Sequence, residues 1–235
     1  MMRLLTACFS AIVLIGSVAL ADHHEEGFVS IFDGKSLANW DGNTKFWSVQ
    51  DGAITGKTTS ENPTPGNTFI IWRGGTMEDF ELRLKFRIVG GNSGIQYRSK
   101  DLGNWVVGGY QADFEAADRF SGILYDEKGR AVLANRGELT HVVTDGDKHK
   151  VNVIASLGES EEINSVIKRE DWNDYQVIAH SNRLMHVING RVTCMVIDND
   201  KPNADSSGIL AFQLHAGPPM EVQFKDIRMK RFDGR

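Results

Sequence analysis

The sequence predicts an all-β fold: a two-sheet antiparallel β-sandwich of jelly-roll type. Three observations carry this. Many short runs alternate apolar and polar residues, glycine and Asn/Asp turns recur at roughly ten-residue spacing, and no long run follows the helical period. The run FELRLKFRI (80–88) is the cleanest element. Phe80, Leu82, Leu84, Phe86 and Ile88 alternate with Glu81, Arg83, Lys85 and Arg87, which predicts a half-buried strand. GGNSG then turns the chain into IQYRS, with Ile95 and Tyr97 opposite Gln96 and Arg98. GGYQADFEA (108–116) reads as a strand with Tyr110, Ala112 and Phe114 on one side and Gln111, Asp113 and Glu115 on the other.

Residues 115–145 are less regular and are expected to form loops over one face. YQVIAHSNRLMHVI predicts a strand pair around Ser181 and Asn182, and Asn189-Gly190 fits a type I′ hairpin turn. GILAFQLH and MEVQFKDIRMKRF close the domain. In the latter the apolar phase slips between Phe224 and Ile227, which predicts a β-bulge near Lys225. ENPTPGN (61–67) reads as an exposed loop.

The first 21 residues stand apart. Arg3 precedes the apolar run LLTACFSAIVLIGSVAL, and Ala19-Leu20-Ala21 supplies small residues for cleavage, so residues 1–21 are expected to be a signal peptide. Residues 22–27 then form a tail and 28–235 a single domain, within the size that undivided β-sandwiches reach. Loss of Arg3 takes the formal net charge from −5 to −6. With no basic run or stripe, this speaks against a nucleic-acid partner. The expected location is periplasmic or secreted, with no membrane partner after cleavage. Only Cys194 would remain of the two cysteines, so no intramolecular disulfide can form. Its setting in VTCMVI predicts a buried apolar residue.

Polar faces carry the functional signal. Gln96 and Arg98, then Gln111, Asp113 and Glu115, then Gln176 and His180, and finally Gln213 and His215 sit at alternate strand positions. Solvent-facing strand positions ordinarily favour Thr, Lys, Glu and Arg. Glutamine and histidine suit a face that hydrogen-bonds hydroxyl groups, although each one alone reads more often as surface than as ligand. FSGILYDEKGR (120–130) adds Tyr125, Asp126, Glu127 and Arg130. They form either a plain turn or a loop hanging acid, base and cation over the polar face.

Taken in order, FVSIFDGKSLANW, FWSVQDGAITG, FELRLKFRIVGGNSGIQYRS, GGYQADF, LYDEKGR, DWNDYQVIAHSNRLMHVINGRVT and GILAFQLHAGPPMEVQFKDIRMK resemble the 3-keto-disaccharide hydrolase family from about Phe28 to Phe232. The resemblance implies a concanavalin A-like sandwich, bacterial export, and action on glycosides whose ring carbon 3 is a ketone. Such a ketone acidifies the proton on carbon 2, so the route needs a base, an oxyanion stabiliser and an acid for the leaving group. It does not need two carboxylates at glycosidase spacing. The expected catalytic residues are Asp113 as base, His215 as acid/base partner, Glu127, and Arg98 as oxyanion cation. The expected sugar binders are Gln96, Gln111, Tyr125, Arg130, His180, Gln213 and Trp105. Some members read GYEVQI where this chain has GYQADF, which leaves the position of the base open between subgroups. No cofactor is required. A divalent metal held by Asp113, His215 and Glu127 stays open as a Lewis acid.

Two other readings compete. A non-catalytic carbohydrate-binding module would favour a platform of exposed aromatic rings. Here Trp40, Trp47, Trp72 and Trp172 fall in or beside strand-like runs, and only Trp105 reads as an exposed loop tip. A hydrolase of unmodified laminarin-type glucans would carry Glu-x-Asp-x-x-Glu on one strand, and DFEAAD lacks that spacing.

Overall fold

The computed structural model describes residues 27–232. The expected signal peptide, most of the expected tail and the last three residues lie outside them. In chain order the strands are β1 (Val29–Ser30), β2 (Trp40–Gly42), β3 (Trp47–Gln50), β4 (Ala53–Lys57), β5 (Thr68–Met77), β6 (Phe80–Val89), β7 (Asn92–Asp101), β8 (Val107–Glu115) and β9 (Leu124–Glu127). They continue as β10 (Ala131–Ala134), β11 (Glu138–Asp145), β12 (Lys148–Ser156), β13 (Asn173–His180), β14 (Arg183–Ile188), β15 (Arg191–Asn199), β16 (Gly208–Leu214) and β17 (Glu221–Arg231), with one short helix, α1 (Ser160–Asn164), between β12 and β13.

Two sheets face each other. The ten-stranded sheet runs β12-β11-β15-β14-β13-β6-β17-β4-β3, with β1 added along β17. The seven-stranded sheet runs β10-β9-β8-β7-β16-β5-β2. Pairing is antiparallel except between β11 and β15. The expected all-β, two-sheet sandwich is therefore the observed fold.

The period-2 pattern explains the core. On β6, Phe80, Leu82, Leu84, Phe86 and Ile88 are buried while the residues between them are partly exposed. On β8, Tyr110, Ala112 and Phe114 face inward. Phe114 meets Phe86 of the other sheet at 4.1 Å between ring centroids, and Phe212 of β16 stacks on Phe224 of β17 at 4.0 Å. Removing a buried Phe of this kind costs about 3–5 kcal/mol. Cys194 is fully buried in this core, and burial pushes its thiol pKa well up.

The turn readings match the backbone. Asn189 and Gly190 both take positive φ, 48° and 78°, between β14 and β15. β17 slips register between Lys225 and Arg228, with Asp226 at φ 53°. Two expectations need correction. Residues 115–145 are not mainly loops, because they hold β9, β10 and β11. The first two are four residues each, too short to display a period. The second correction concerns the alternation in IQYRS, which breaks at Arg98. That residue sits at φ 48° in a bulge where the β7–β8 register slips between Tyr97 and Lys100.

The bulge turns Arg98 off the polar face. Its guanidinium is 2% exposed and donates to the Glu78 carbonyl (2.7 Å), the Ser181 carbonyl (2.8 Å) and Asp79 Oδ1 (2.8 Å). It clasps the β5–β6 turn to the β13–β14 turn. Arg98→Ala should therefore lower stability by about 1–3 kcal/mol, because it removes a buried side chain and its three charge-assisted hydrogen bonds to partly exposed acceptors. Urea denaturation checks this. An unchanged midpoint together with lost activity would return Arg98 to the chemistry.

Candidate functional site

The outer face of the seven-stranded sheet carries the site. Because Tyr110, Ala112 and Phe114 are packed inward, Gln111, Asp113 and Glu115 must point outward. The neighbours fall into phase with them. Gln96 of β7 lies opposite Gln111, Gly94 lies opposite Asp113, and Tyr125 of β9 lies opposite Gln111 on the other side. Gln213 comes from β16, and His215 follows directly after that strand. Asp113, Gln111, Tyr125, Glu127, Gln213 and His215 line one pocket of about 400 Å³ with Asn67, Asn92, Glu115, Phe120, Ile123 and Val132. That volume is in the range of small-ligand sites.

A one-way hydrogen-bond relay holds Asp113. Ser99 Oγ donates to Gln96 Oε1 (2.8 Å), Gln96 Nε2 donates to Gln111 Oε1 (2.6 Å), and Gln111 Nε2 donates to Asp113 Oδ2 (2.7 Å). Asn92 Nδ2 donates to the other oxygen, Oδ1, at 2.7 Å. Gly94 makes this geometry possible, since a Cβ there would sit 2.4 Å from Gln111 Cδ. The glutamine amide leans over the bare backbone to reach the next outward residue of its own strand.

Burial dominates the acidity of the Asp113 carboxyl and raises its pKa from 3.8 to about 7. The Asn92 and Gln111 donors work against that rise, and the Glu115 and Glu127 charges add to it. Burial also raises Glu127, opposed by Lys128, a hydrogen bond from Asn67 and the nearby His215. The Tyr125 hydroxyl is raised by burial and by Glu127 and Asp113. His215 Nδ1 lies 2.5 Å from the Ala216 carbonyl. A carbonyl only accepts, so Nδ1 carries the hydrogen and Nε2 is left for other work. Both amide atoms of Gln213 are buried without a hydrogen-bond partner. A buried amide without a partner is uncommon, and this one lies on the pocket wall.

Other residues expected here lie elsewhere. Gln96 is fully buried behind Gln111 and orients it from there. Arg98 is committed to its clasp. Arg130 is buried among Asp126, Asp198 and Asp200. Its Nε donates to Asp126 at 2.7 Å, and its Nη2 lies 2.8 Å from Asp198 as an ion pair without hydrogen-bond alignment. The turn reading thus holds for Asp126 and Arg130, while Tyr125 and Glu127 of the same segment reach the pocket. His180 and Gln176 belong to β13 in the opposite sheet, where His180 is exposed near Asp79 and Gln176 bonds Glu81. Trp105 donates its indole N–H to Asp41 at 2.8 Å, away from the pocket. Asp113, His215 and Glu127, the metal set left open by the sequence, line the same pocket. Among the described residues no three His, Cys, Asp or Glu side chains are grouped tightly enough to hold an ion.

Sequence reasoning missed Asn92 and Asn67. Asn92 is hidden in GGNSG, which reads as a turn, although it shares the phase of Gly94 and Gln96. Asn67 precedes β5 in an irregular loop with no periodic signal. It accepts the Ala216 N–H at 3.0 Å and so ties the His215 segment to the Glu127 side.

The raised pKa has a stability consequence. A carboxyl that holds its proton more tightly when folded favours the native state fully below pH about 4, and this contribution is lost as pH rises through about 7. Asp113→Asn should therefore be more stable than the parent at pH 8, by up to about 4 kcal/mol, with the gap closing by pH 4. Thermal unfolding at both pH values reads this directly. An equal offset at the two would show that Asp113 titrates normally.

The 3-keto-alpha-glucoside-1,2-lyase-like domain matches residues 27–230 of this chain. The 3-keto-disaccharide hydrolase of Bacteroides thetaiotaomicron is 29% identical over 87 residues, which span 33% of this chain and 29% of that protein. A protein of Parabacteroides distasonis, provisionally named a glycosyl hydrolase, superposes with TM-score 0.58 at 18% identity, covering 87% of this chain and 99% of that one. The carbohydrate-binding module CBM66 of Bacillus subtilis superposes with TM-score 0.53 at 14% identity, covering 82% and 95%. These two likenesses establish a shared sandwich. The match over residues 27–230 goes further: the chain belongs to the 3-keto-alpha-glucoside-1,2-lyase-like domain family.

Proposed function

We propose that this protein is a carbohydrate-active enzyme that cleaves glycosides carrying a ketone at ring carbon 3, working by elimination followed by addition of water. The observation that carries the reading is Asp113, a buried carboxylate with acidity near neutrality, held by two amide donors on a pocket wall. A base of that strength is half ionised at physiological pH and retains proton affinity for the carbon acid.

Asp113 takes the proton from carbon 2. The C–H electron pair becomes the carbon 2–carbon 3 double bond, and the carbonyl pair moves onto oxygen as an enolate. The orphaned Gln213 amide supplies a hydrogen bond to that oxygen, the task first expected of Arg98. When the ketone re-forms, the carbon 1–carbon 2 double bond forms and the bond from carbon 1 to the glycosidic oxygen breaks. That oxygen leaves with the pair and takes the Nε2 proton of His215 in its imidazolium form, whose Nδ1 hydrogen stays on the Ala216 carbonyl. Water then adds its hydroxyl to carbon 1 and its proton to carbon 2, the proton held by Asp113 returns through solvent to His215, and the net change is hydrolysis. Tyr125, Gln111 and Glu127 line the walls that would receive ring hydroxyls.

A sugar-binding module without catalysis is the alternative. The buried acid speaks against it, because sugar binding alone gains nothing from a carboxylate held close to its titration point. Purified protein should release aglycone from a 3-keto-glucoside and not from the unoxidised parent. Asp113→Asn should cut the rate by about 10²–10⁴-fold. His215→Ala should slow poor leaving groups most. The rate should rise with pH through about 7 as Asp113 ionises. Saturable sugar binding with no release from either substrate would leave the binding module.

A further inference from the structure

The carboxylate pocket does not stand alone. It shares Asn92, Glu115 and His215 with a second stretch of about 560 Å³ that runs beside Gly91 and Gly217. That stretch shares Glu115, Ala116, Ala117 and Arg169 with a third of about 820 Å³, which ends against α1. The three adjoin in series as a groove of shared walls. On its other side the carboxylate pocket shares only Glu127 with the neighbouring cleft of about 570 Å³. The broad way out of the pocket therefore passes His215, the group placed to protonate the departing oxygen.

We propose that this groove is the leaving-group subsite and that it takes a neutral oligosaccharide of two or more units. The inference rests on the catalytic reading of the carboxylate pocket, and adds the class of leaving group. Three features support it. The combined volume is more than one sugar ring needs. The floor at the junction is two alanines, with Ala117 exposed, flanked by Glu115 and Arg169. In the distal stretch the carboxylates outnumber the cations. Three cations (Arg136, Lys168, Arg169) face four carboxylates (Glu115, Asp118, Glu161, Glu170). Arg169 is paired with Asp118, and Arg136 donates to the carbonyls of Ser160, Ser121 and Asp118. A groove whose carboxylates outnumber its cations suits hydroxyl groups and not a phosphate or carboxylate.

The test uses methyl α-glucoside, maltose, maltotriose and maltotetraose, each oxidised to the ketone at carbon 3 of the non-reducing unit. The kcat/KM should rise at least tenfold from the methyl glycoside to the longer members. Ala117→Trp should abolish the rise while leaving the methyl glycoside unchanged, and Ala117→Leu should blunt it. Equal values along the series, or a rise that survives Ala117→Trp, would overturn the subsite. If no member is cleaved, the catalytic reading fails by itself. The groove is then tested by calorimetry with unoxidised maltotetraose against methyl α-glucoside. Tighter binding of the longer sugar, lost in Ala117→Trp, supports it, and equal or absent binding overturns it.

Discussion

The contact between Phe114 and Phe86, 4.1 Å across the sandwich, decides where the chemistry can be. A strand has two faces and no third. Once Phe114 is fixed in the core, Asp113 is committed to the outer face of its sheet, and so are Gln111 and Glu115. A slip of one residue would bury the carboxylates between the sheets and expose the aromatic rings. The site's geometry is therefore a consequence of core packing, and rigidity reaches the pocket through the same strands.

The outward face is nonetheless dry. Gln96, Gln111, Asp113 and Gln213 are all 6% exposed or less. A second small apolar cluster, Phe69, Ile71, Val107 and Ala211, covers another part of this face. Burial drives Asp113 toward its neutral form, and the amide relay from Ser99 pulls it back toward the anion. The balance falls near neutrality, where a general base is most useful. The cost of desolvating the carboxylate is borne by the fold, and the orphaned amide of Gln213 is a further strain on it. Both are of the kind that substrate binding relieves.

Much of this was legible in the sequence because β structure writes burial into alternation. The β6, β8 and β17 patterns revealed both the core and the polar face, and the slip at Lys225 marked a real bulge. Phase alone marked Asp113, Gln111, Gln213 and His215 as polar-face positions, and all four line one pocket. Arg98 was misread for a physical reason: one residue in left-handed conformation reverses the alternation, and nothing in IQYRS marks it. His180 and Gln176 have the right phase but lie in the other sheet, and phase carries no information about which sheet a strand joins. Asn67 works from a loop, where no period exists to reveal it.

The most direct measurement follows carbon 2. A 3-keto-glucoside is cleaved in deuterium oxide, and the released sugar is examined by NMR against a control without enzyme. Elimination and addition place solvent deuterium at carbon 2 of the product, and Asp113→Asn stops both release and labelling. Product released with its original hydrogen at carbon 2, at a rate unchanged by deuterium placed at carbon 2 of the substrate, would mean direct displacement at carbon 1, and would contradict Asp113 as the base that starts the reaction.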